Sequence, residues 1–326
     1  MRLPSLKRCV VNCAIVGILL RDCQLGVAGP AGDRAAVELP VGLPKITSNA
    51  TCAEWTAWMP PRSDPAVVMQ VVSKDYLKLQ RNFIRLMEKN SDFTRENLYL
   101  MCLDDESYRA FHGGMGIRCL PLTSLLRNNN RKQIFTLRVQ VVSCLVNAGH
   151  DVILSDADAL WLADPMKDFS LPIIRESSIV ASRGGFPHDL AHQWGSTMCM
   201  GFIFFRAAGK RIGEFVAVMN ELVLKNANDQ VSVNKAAKNL GIVWDKKGSD
   251  MRYEKSLAFG GGTIDSLVDD ESRPFRVTLL PHSTYPRICE KTPISETTRV
   301  AHCLWVGKGE IMSTWMKRAN LWSNNA

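Results

Sequence analysis

Familiar cofactor signatures are missing from this chain. No strand is followed by GxGxxG, so there is no dinucleotide fingerprint, and no GxxxxGK[ST] marks a phosphate-binding P-loop. The cysteines form no CxxC pair and no zinc-type spacing, which argues against a structural zinc site. Lys and Arg are scattered, with no dense basic run interleaved with aromatics, so nucleic acid is not an expected partner. The formal charge of +8 then describes a mildly basic surface suited to an anionic small molecule. No apolar run reaches the roughly 20 residues of a comfortable membrane span.

What is present begins with a leader. Arg2, Lys7 and Arg8 precede an apolar stretch from Cys9 to Leu20, stopped by Arg21 and Asp22. Small residues at Gly26 and Ala28 suit a cleavage site, so residues 1–28 read as a secretory signal peptide or an uncleaved signal-anchor. Either sends the chain into the secretory pathway, most naturally the Golgi lumen, and the anchor would tether it to the membrane. Residues 29–64 are rich in Pro, Gly and Ala and read as a stem or linker. The stem carries the sequon Asn49-Ala50-Thr51. Of ten cysteines, Cys9, Cys13 and Cys23 fall in the leader. An oxidising compartment favours pairing among the others. Cys102 with Cys119 and Cys289 with Cys303 are the pairs expected; Cys144 reads as a buried small hydrophobe, and an odd cysteine stays free.

The folded domain is expected over residues 65–326. "AVVMQVV" (66–72) reads as a buried strand, and "DYLKLQRNFIRLMEKN" as a helix with Asp75 as its cap. "NLYLMCL", "GIRCLPL" and "VILS" read as further strands, separated by "ESYRAFHGG" and by "IFTLRVQVVSCLVNAG", a helix closed by Gly149. "IVASRGG", "MCMGFIFFRA" and "RVTLLPHSTYP" are later strands, and helices span about 211–225 and "NDQVSVNKAAKNLG". Strands alternating with helices imply right-handed crossovers and a mostly parallel α/β sheet. Ligands of such sheets bind outside the carboxyl ends of the strands.

At one such end stands "VILSDADALWLADP" (152–165). Burying an unpaired carboxylate costs several kcal/mol, about enough to demand a positive partner. In an extended segment residues i and i+2 face the same side, so Asp156 and Asp158 converge. Two carboxylates suit a hard divalent cation, Mg²⁺ or Mn²⁺, that also holds substrate phosphates. The alternatives are solvated loop residues, a helix cap at Asp156, or a haloacid-dehalogenase-type phosphoryl-transfer motif. That last motif carries Thr or Val two residues after its second Asp, where Leu160 stands here.

These residues also carry a resemblance. "SDADALWLADP" is similar to the DxDxxWLxDP of the nucleotide-diphospho-sugar transferase domain found in glycosyltransferase family 77, which includes plant rhamnogalacturonan-II xylosyltransferases. "YLKLQRNFIRLM" (with Asn82), "YLMCLDDESYRAF", "MCMGFIFFRA", "NDQVSVN", "LLPHSTYP" and "AHCLWVGKGE…NLW" resemble its other segments in order and spacing. The resemblance implies a GT-A type fold, a single Rossmann-like mostly parallel sheet flanked by helices. It implies retaining transfer of a sugar from a UDP-sugar to a glycan or glycoprotein acceptor. Asp156, Asp158 and His302 would hold Mn²⁺ (or Mg²⁺); a neutral imidazole accepts borderline Mn²⁺ well, and the bland alternative for His302 is an ordinary half-buried histidine. Lys308 and Arg138 would neutralise the diphosphate, although the family's Lys more often lies where Ile311 stands. The bland alternative for Arg138 is a solvated helix face. Asp229 and Gln230 would line the sugar site, Asp229 doubling as a helix N-cap, and Gly201 would let the sugar approach a strand backbone. The family's Asp after the "IVAS" strand is replaced by Arg183-Gly184-Gly185, with Asp189 further on. Two rival functions stand beside this one: a catalytically inactive glycan-binding pseudo-transferase, and a DxD phosphoryl-transfer hydrolase.

Overall fold

The computed structural model describes residues 50–123, 125–126, 130–208, 210–245, 257–261, 275–287, 294–303, 314, 316–317 and 320–322. The leader and the expected partner Cys289 lie outside these residues, as does Lys308. Among the described residues no helix is long and apolar enough to cross a membrane.

The chain enters through a short helix, α1 (Cys52–Ala57), capped by Thr51 in a reciprocal box with Glu54. Strand β1 (Val67–Val72) follows, then α2 (Leu77–Asn90), β2 (Leu98–Cys102), α3 (Asp105–Tyr108), β3 (Cys119–Pro121) and α4 (Arg131–Asn147). Asp75 does not cap α2: it lies in a 3₁₀ turn, Lys74–Tyr76, that leads into the helix. Gly149 turns the chain after α4 at φ +90°, a conformation that glycine adopts without a Cβ penalty. Next come β4 (Val152–Ser155), β5 (Ala159–Trp161), α5 (Met166–Phe169), β6 (Ile179–Gly184), α6 (His188–Trp194) and β7 (Thr197–Phe205). The rest comprises α7 (Lys210–Asn226), α8 (Asp229–Asn239), β8 (Val243–Trp244), β9 (Ala258–Gly261), β10 (Arg276–Leu279) and β11 (Val300–His302).

Nine strands make one sheet in the order β3-β2-β1-β4-β7-β6-β10-β9-β8. β1, β2, β3 and β4 are mutually parallel, as are β6 and β10, whereas β7 runs against both β4 and β6. With β9 also reversed against β10 and β8, seven of the nine strands share one direction. This is the mostly parallel, helix-flanked α/β sheet expected.

Alternation along the strands sorts the core into two layers. Val152 and Leu154 of β4 pack with α1, α4, α7 and α8, through Trp55, Val142, Phe215 and Val233. Ile153 points the other way, toward Phe83 and Met87 of α2, Phe111, and Phe169 of α5. The tail of the expected stem is part of this packing: Trp55 and Trp58 are buried, and Cys52 is disulfide-bonded to Cys144 on α4. Cys144 is thus a cross-link and not the free buried hydrophobe expected. Cys102 and Cys119 pair as anticipated, bridging β2 and β3, and Cys303 is disulfide-bonded as well.

Candidate metal and donor site

The site grows from the end of β4. Its last pair is Ser155 with Phe202, and Asp156 extends the ladder by donating its N–H to the Gly201 carbonyl at 2.8 Å. There the chain turns. The Ala159 N–H donates to the Asp156 carbonyl at 2.9 Å, closing a four-residue turn before β5. The two carboxylates therefore converge through a tight turn and not through the extended alternation expected. The rest of the motif braces that turn. Trp161 Nε1 donates to Ser155 Oγ at 3.2 Å, and its ring meets Phe83, Phe93 and Phe202 edge-on. Asp164 Oδ1 accepts the Met166 N–H and starts α5. Asn82 Nδ2 donates to the Leu321 carbonyl, tying α2 to the C-terminal segment.

His302 arrives from a distant part of the chain by strand pairing. β11 lies antiparallel to β5 with His302 opposite Ala159, one residue past Asp158. Its N–H donates to the Pro286 carbonyl, and its own carbonyl accepts Arg287 Nη1 at 3.2 Å. Nε2 then stands 3.3 Å from Asp158 Oδ1 and 3.8 Å from Asp156 Oδ2. The ring rests on Gly201. A Cβ there would overlap His302 Cε1 and lie 2.6 Å from Asp156 Oδ2. The space beside Gly201 is therefore filled by the imidazole and Asp156, which is a different reason for glycine than the sugar approach expected.

Behind the carboxylates sits Arg138, 1% exposed, so the solvated-face alternative does not hold. Its Nη2 donates to Asp156 Oδ1 at 3.0 Å and to the Met200 carbonyl at 3.3 Å. Its Nη1 lies 3.0 Å from Asp229 Oδ2, an ion pair without hydrogen-bond alignment. Asp229 Oδ1 accepts the Gln230 N–H. The N-cap of α8 is Asn228, which accepts from Val231, and not Asp229. Gln230 and Asn234, one helical turn apart, accept the N–H groups of Met200 and Met198 and so dock α8 on β7 beyond the reach of β4. Gln230 Nε2 also donates to the Phe186 carbonyl at 2.8 Å. Arg183 is buried and donates to the Leu280 carbonyl, while Asp189 is exposed on the first turn of α6.

Two neighbours of the site were not anticipated. Arg287 is 6% exposed and its charge acts on Asp156, Asp158, Cys199 and His302. Cys199 is fully buried, with Sγ 3.9 Å from His302 Nδ1. Sequence patterns gave one signal for each: Cys199 opens the Cys-x-Gly of β7, and Arg287 closes "TYPR".

The electrostatics follow from burial opposed by pairing. Burial raises the Asp156 carboxyl above its ordinary range, only partly offset by Arg138 and His302. Burial likewise raises Asp229 against the pull of Arg138. At Asp158 burial is outweighed by His302 and Arg287, and its carboxyl is held low. For His302, burial and Arg287 push down, but the charge and hydrogen bond of Asp158, with Cys199, lift it to about 9. Burial would raise the Cys199 thiol, yet Arg287 and His302 bring it to about 7.

Does a divalent cation fit here? Asp156, Asp158 and His302 each offer a ligand atom, all within 4.8 Å of one another. Asp156 Oδ2 is buried with no hydrogen-bond partner, while Arg138 holds its other oxygen. An orphaned buried carboxylate oxygen costs about 1–3 kcal/mol or more, and a cation removes that cost. Two carboxylates suit Mn²⁺ or Mg²⁺, and the imidazole favours Mn²⁺ of the two. The residues fit.

Fold and site together define an α/β protein with two carboxylates and an imidazole gathered at a strand end, where they could hold a divalent cation. Residues 94–292, more than half of the chain, match the family model for nucleotide-diphospho-sugar transferases, and the chain belongs to that family. Among solved structures it is similar to the bifunctional glycosyltransferase WbbM (15% identity, 55% of this chain, 38% of that one, TM-score 0.37). It is also similar to mouse xyloside xylosyltransferase 1 (12% identity, 53% and 81%, TM-score 0.33). A third is a glycosyltransferase involved in glycosylating the major capsid of PBCV-1 (10% identity, 77% and 100%, TM-score 0.39). The chain spans well under half the length of WbbM. No curated protein matches it.

Proposed function

We propose that this chain is a metal-dependent, retaining glycosyltransferase that moves a sugar from a UDP-sugar to a hydroxyl of a glycan or glycoprotein. One observation carries the metal dependence. The orphaned Asp156 Oδ2, Asp158 Oδ1 and His302 Nε2 face one another at the carboxyl end of β4, within ligand-sharing distance. These three residues would hold Mn²⁺ or Mg²⁺, which when bound supplies Lewis-acid stabilisation to a departing diphosphate.

The chain's own residues do the rest. Arg138 fixes one oxygen of Asp156, so the other is the one presented to the site. Arg287 adds a fixed positive charge beside the carboxylates, where the diphosphate would lie, and Lys308 is the second candidate for that task. Asp229 and Gln230 build the wall of the site through Arg138 and β7. Asp229 is committed to Arg138 and the Gln230 N–H, so it offers no free covalent nucleophile. The acceptor hydroxyl then attacks from the face on which UDP departs, and its proton goes to the leaving phosphate oxygen. Such front-face attack accounts for retention without a glycosyl-enzyme.

Disulfides at Cys52–Cys144 and Cys102–Cys119 suit an oxidising lumen, in keeping with entry into the secretory pathway, and the Golgi lumen is the compartment proposed. Asp158→Asn tests the reading. The variant keeps its circular dichroism spectrum and loses Mn²⁺-dependent UDP-sugar turnover. Full activity in it would remove Asp158 from the metal site.

A further inference from the structure

The Cys-x-Gly of β7 places two residues under one face of the His302 ring. Gly201 leaves the room the imidazole occupies, and Cys199, two positions earlier on the same side of the strand, lays its sulfur 3.9 Å from Nδ1. The backbone of His302 is already fixed, its N–H on Pro286 and its carbonyl on Arg287. Those bonds do not decide which ring nitrogen carries the proton. Nε2 faces Asp158 and Asp156, whose buried Oδ2 has no hydrogen-bond partner and aims into the same space. A ligand nitrogen there needs its lone pair, so the proton belongs on Nδ1. A buried Nδ1–H without an acceptor is left with its desolvation uncompensated, and a proton moved to Nε2 would block the cation.

We infer that Cys199 is a positioning residue for His302: its sulfur accepts the Nδ1–H and turns the Nε2 lone pair toward Asp156 and Asp158. The inference rests on the metal reading of the site. It gives the buried thiol a task, since Cys199 is free while the neighbouring described cysteines are locked in disulfides. Partners of this kind, which orient a histidine through its second nitrogen, typically change metal affinity by about 10–100-fold when removed.

The test uses the full chain and Mn²⁺ alone, without nucleotide, with the free ion followed by electron paramagnetic resonance. Cys199→Val, which removes the acceptor and keeps the position apolar, binds Mn²⁺ about 10–100-fold more weakly. Cys199→Ser stays closer to wild type. In Mg²⁺-loaded, ¹⁵N-histidine-labelled wild type, the His302 resonances show the proton on Nδ1. Wild-type affinity in Cys199→Val overturns the inference and leaves the metal reading intact. Wild type that binds no Mn²⁺ removes both. If Cys199→Val fails to fold, Cys199→Ala decides: weaker Mn²⁺ binding than in Cys199→Ser supports the inference, and equal binding in the two overturns it.

Discussion

Gly201→Ala is the sharpest single perturbation of the site, because one methyl group meets three of its atoms. The added Cβ would overlap His302 Cε1, approach His302 Nδ1 to 2.8 Å and approach Asp156 Oδ2 to 2.6 Å. Ordinary contacts at such atoms are about 3.5 Å or more, so ring and carboxylate must each retreat by about 0.7 Å or more. A displacement near 1 Å at a reacting centre costs about 10²-fold, or close to 2.7 kcal/mol of transition-state stabilisation. Overpacking adds roughly 1–3 kcal/mol of lost stability. The strand itself tolerates alanine, since Gly201 is not among the positive-φ glycines. The expected variant is therefore folded, modestly less stable, about 100-fold slower in kcat/KM and weaker in Mn²⁺ affinity. UDP release, Mn²⁺ titration calorimetry and urea denaturation measure the three. Wild-type kcat/KM and Mn²⁺ affinity together in Gly201→Ala would refute the packing of His302 on Gly201.

Metal binding should expel a proton. In the metal-free chain His302 is held at about 9, above its ordinary 6.5, so at neutral pH it is charged and must lose its proton to coordinate. Apparent Mn²⁺ affinity therefore rises with pH, by up to about tenfold per unit, and levels off above about 9. Calorimetry at pH 7.5 in buffers of different ionisation enthalpy reads the released proton, and none released contradicts the assignment. The same shift stabilises the metal-free fold fully below pH 6.5, a contribution lost as pH rises through about 9. At Arg138, substitution by Met strands two buried carboxylates, Asp156 and Asp229, and should cost about 3–5 kcal/mol in urea denaturation. Arg138→Met/Asp229→Leu, which leaves one carboxylate stranded, should cost less; equal losses would show that the two charges are not coupled through Arg138.

Much of the site was legible because its residues announce themselves locally. An unbroken apolar strand running into Asp156 and Asp158 shows its buried carboxylates without any tertiary knowledge, and the helix and strand periods around it are strong. What was not legible depends on contacts far apart in the chain. α4 has apolar residues around much of its surface, so nothing marks Arg138 as inward until Asp229 is brought to it from 91 positions away. Composition hid α1, because a Pro- and Gly-rich stretch reads as linker until Trp55, Trp58 and the Cys52–Cys144 bond are seen packed on α4. Asp229 and its neighbour Asn228 are both good caps by type, and only the burial of Asp229 on Arg138 decides between them. His302 was reached by resemblance alone; the physical reason for its place is the pairing of β11 with β5. Cys199 and Arg287 stand in short local patterns that do not mark them as important, since their role is a property of what surrounds His302.

The central claim is that Asp156, Asp158 and His302 hold a divalent ion on which sugar transfer depends. UDP release by the wild-type chain from a panel of UDP-sugars, with Mn²⁺, with chelator, and with Mn²⁺ restored, addresses it most directly. The account predicts turnover with at least one donor, its loss in chelator and its return with the metal. Turnover undiminished by chelator, or phosphate-ester hydrolysis with no UDP released from any donor, would contradict it.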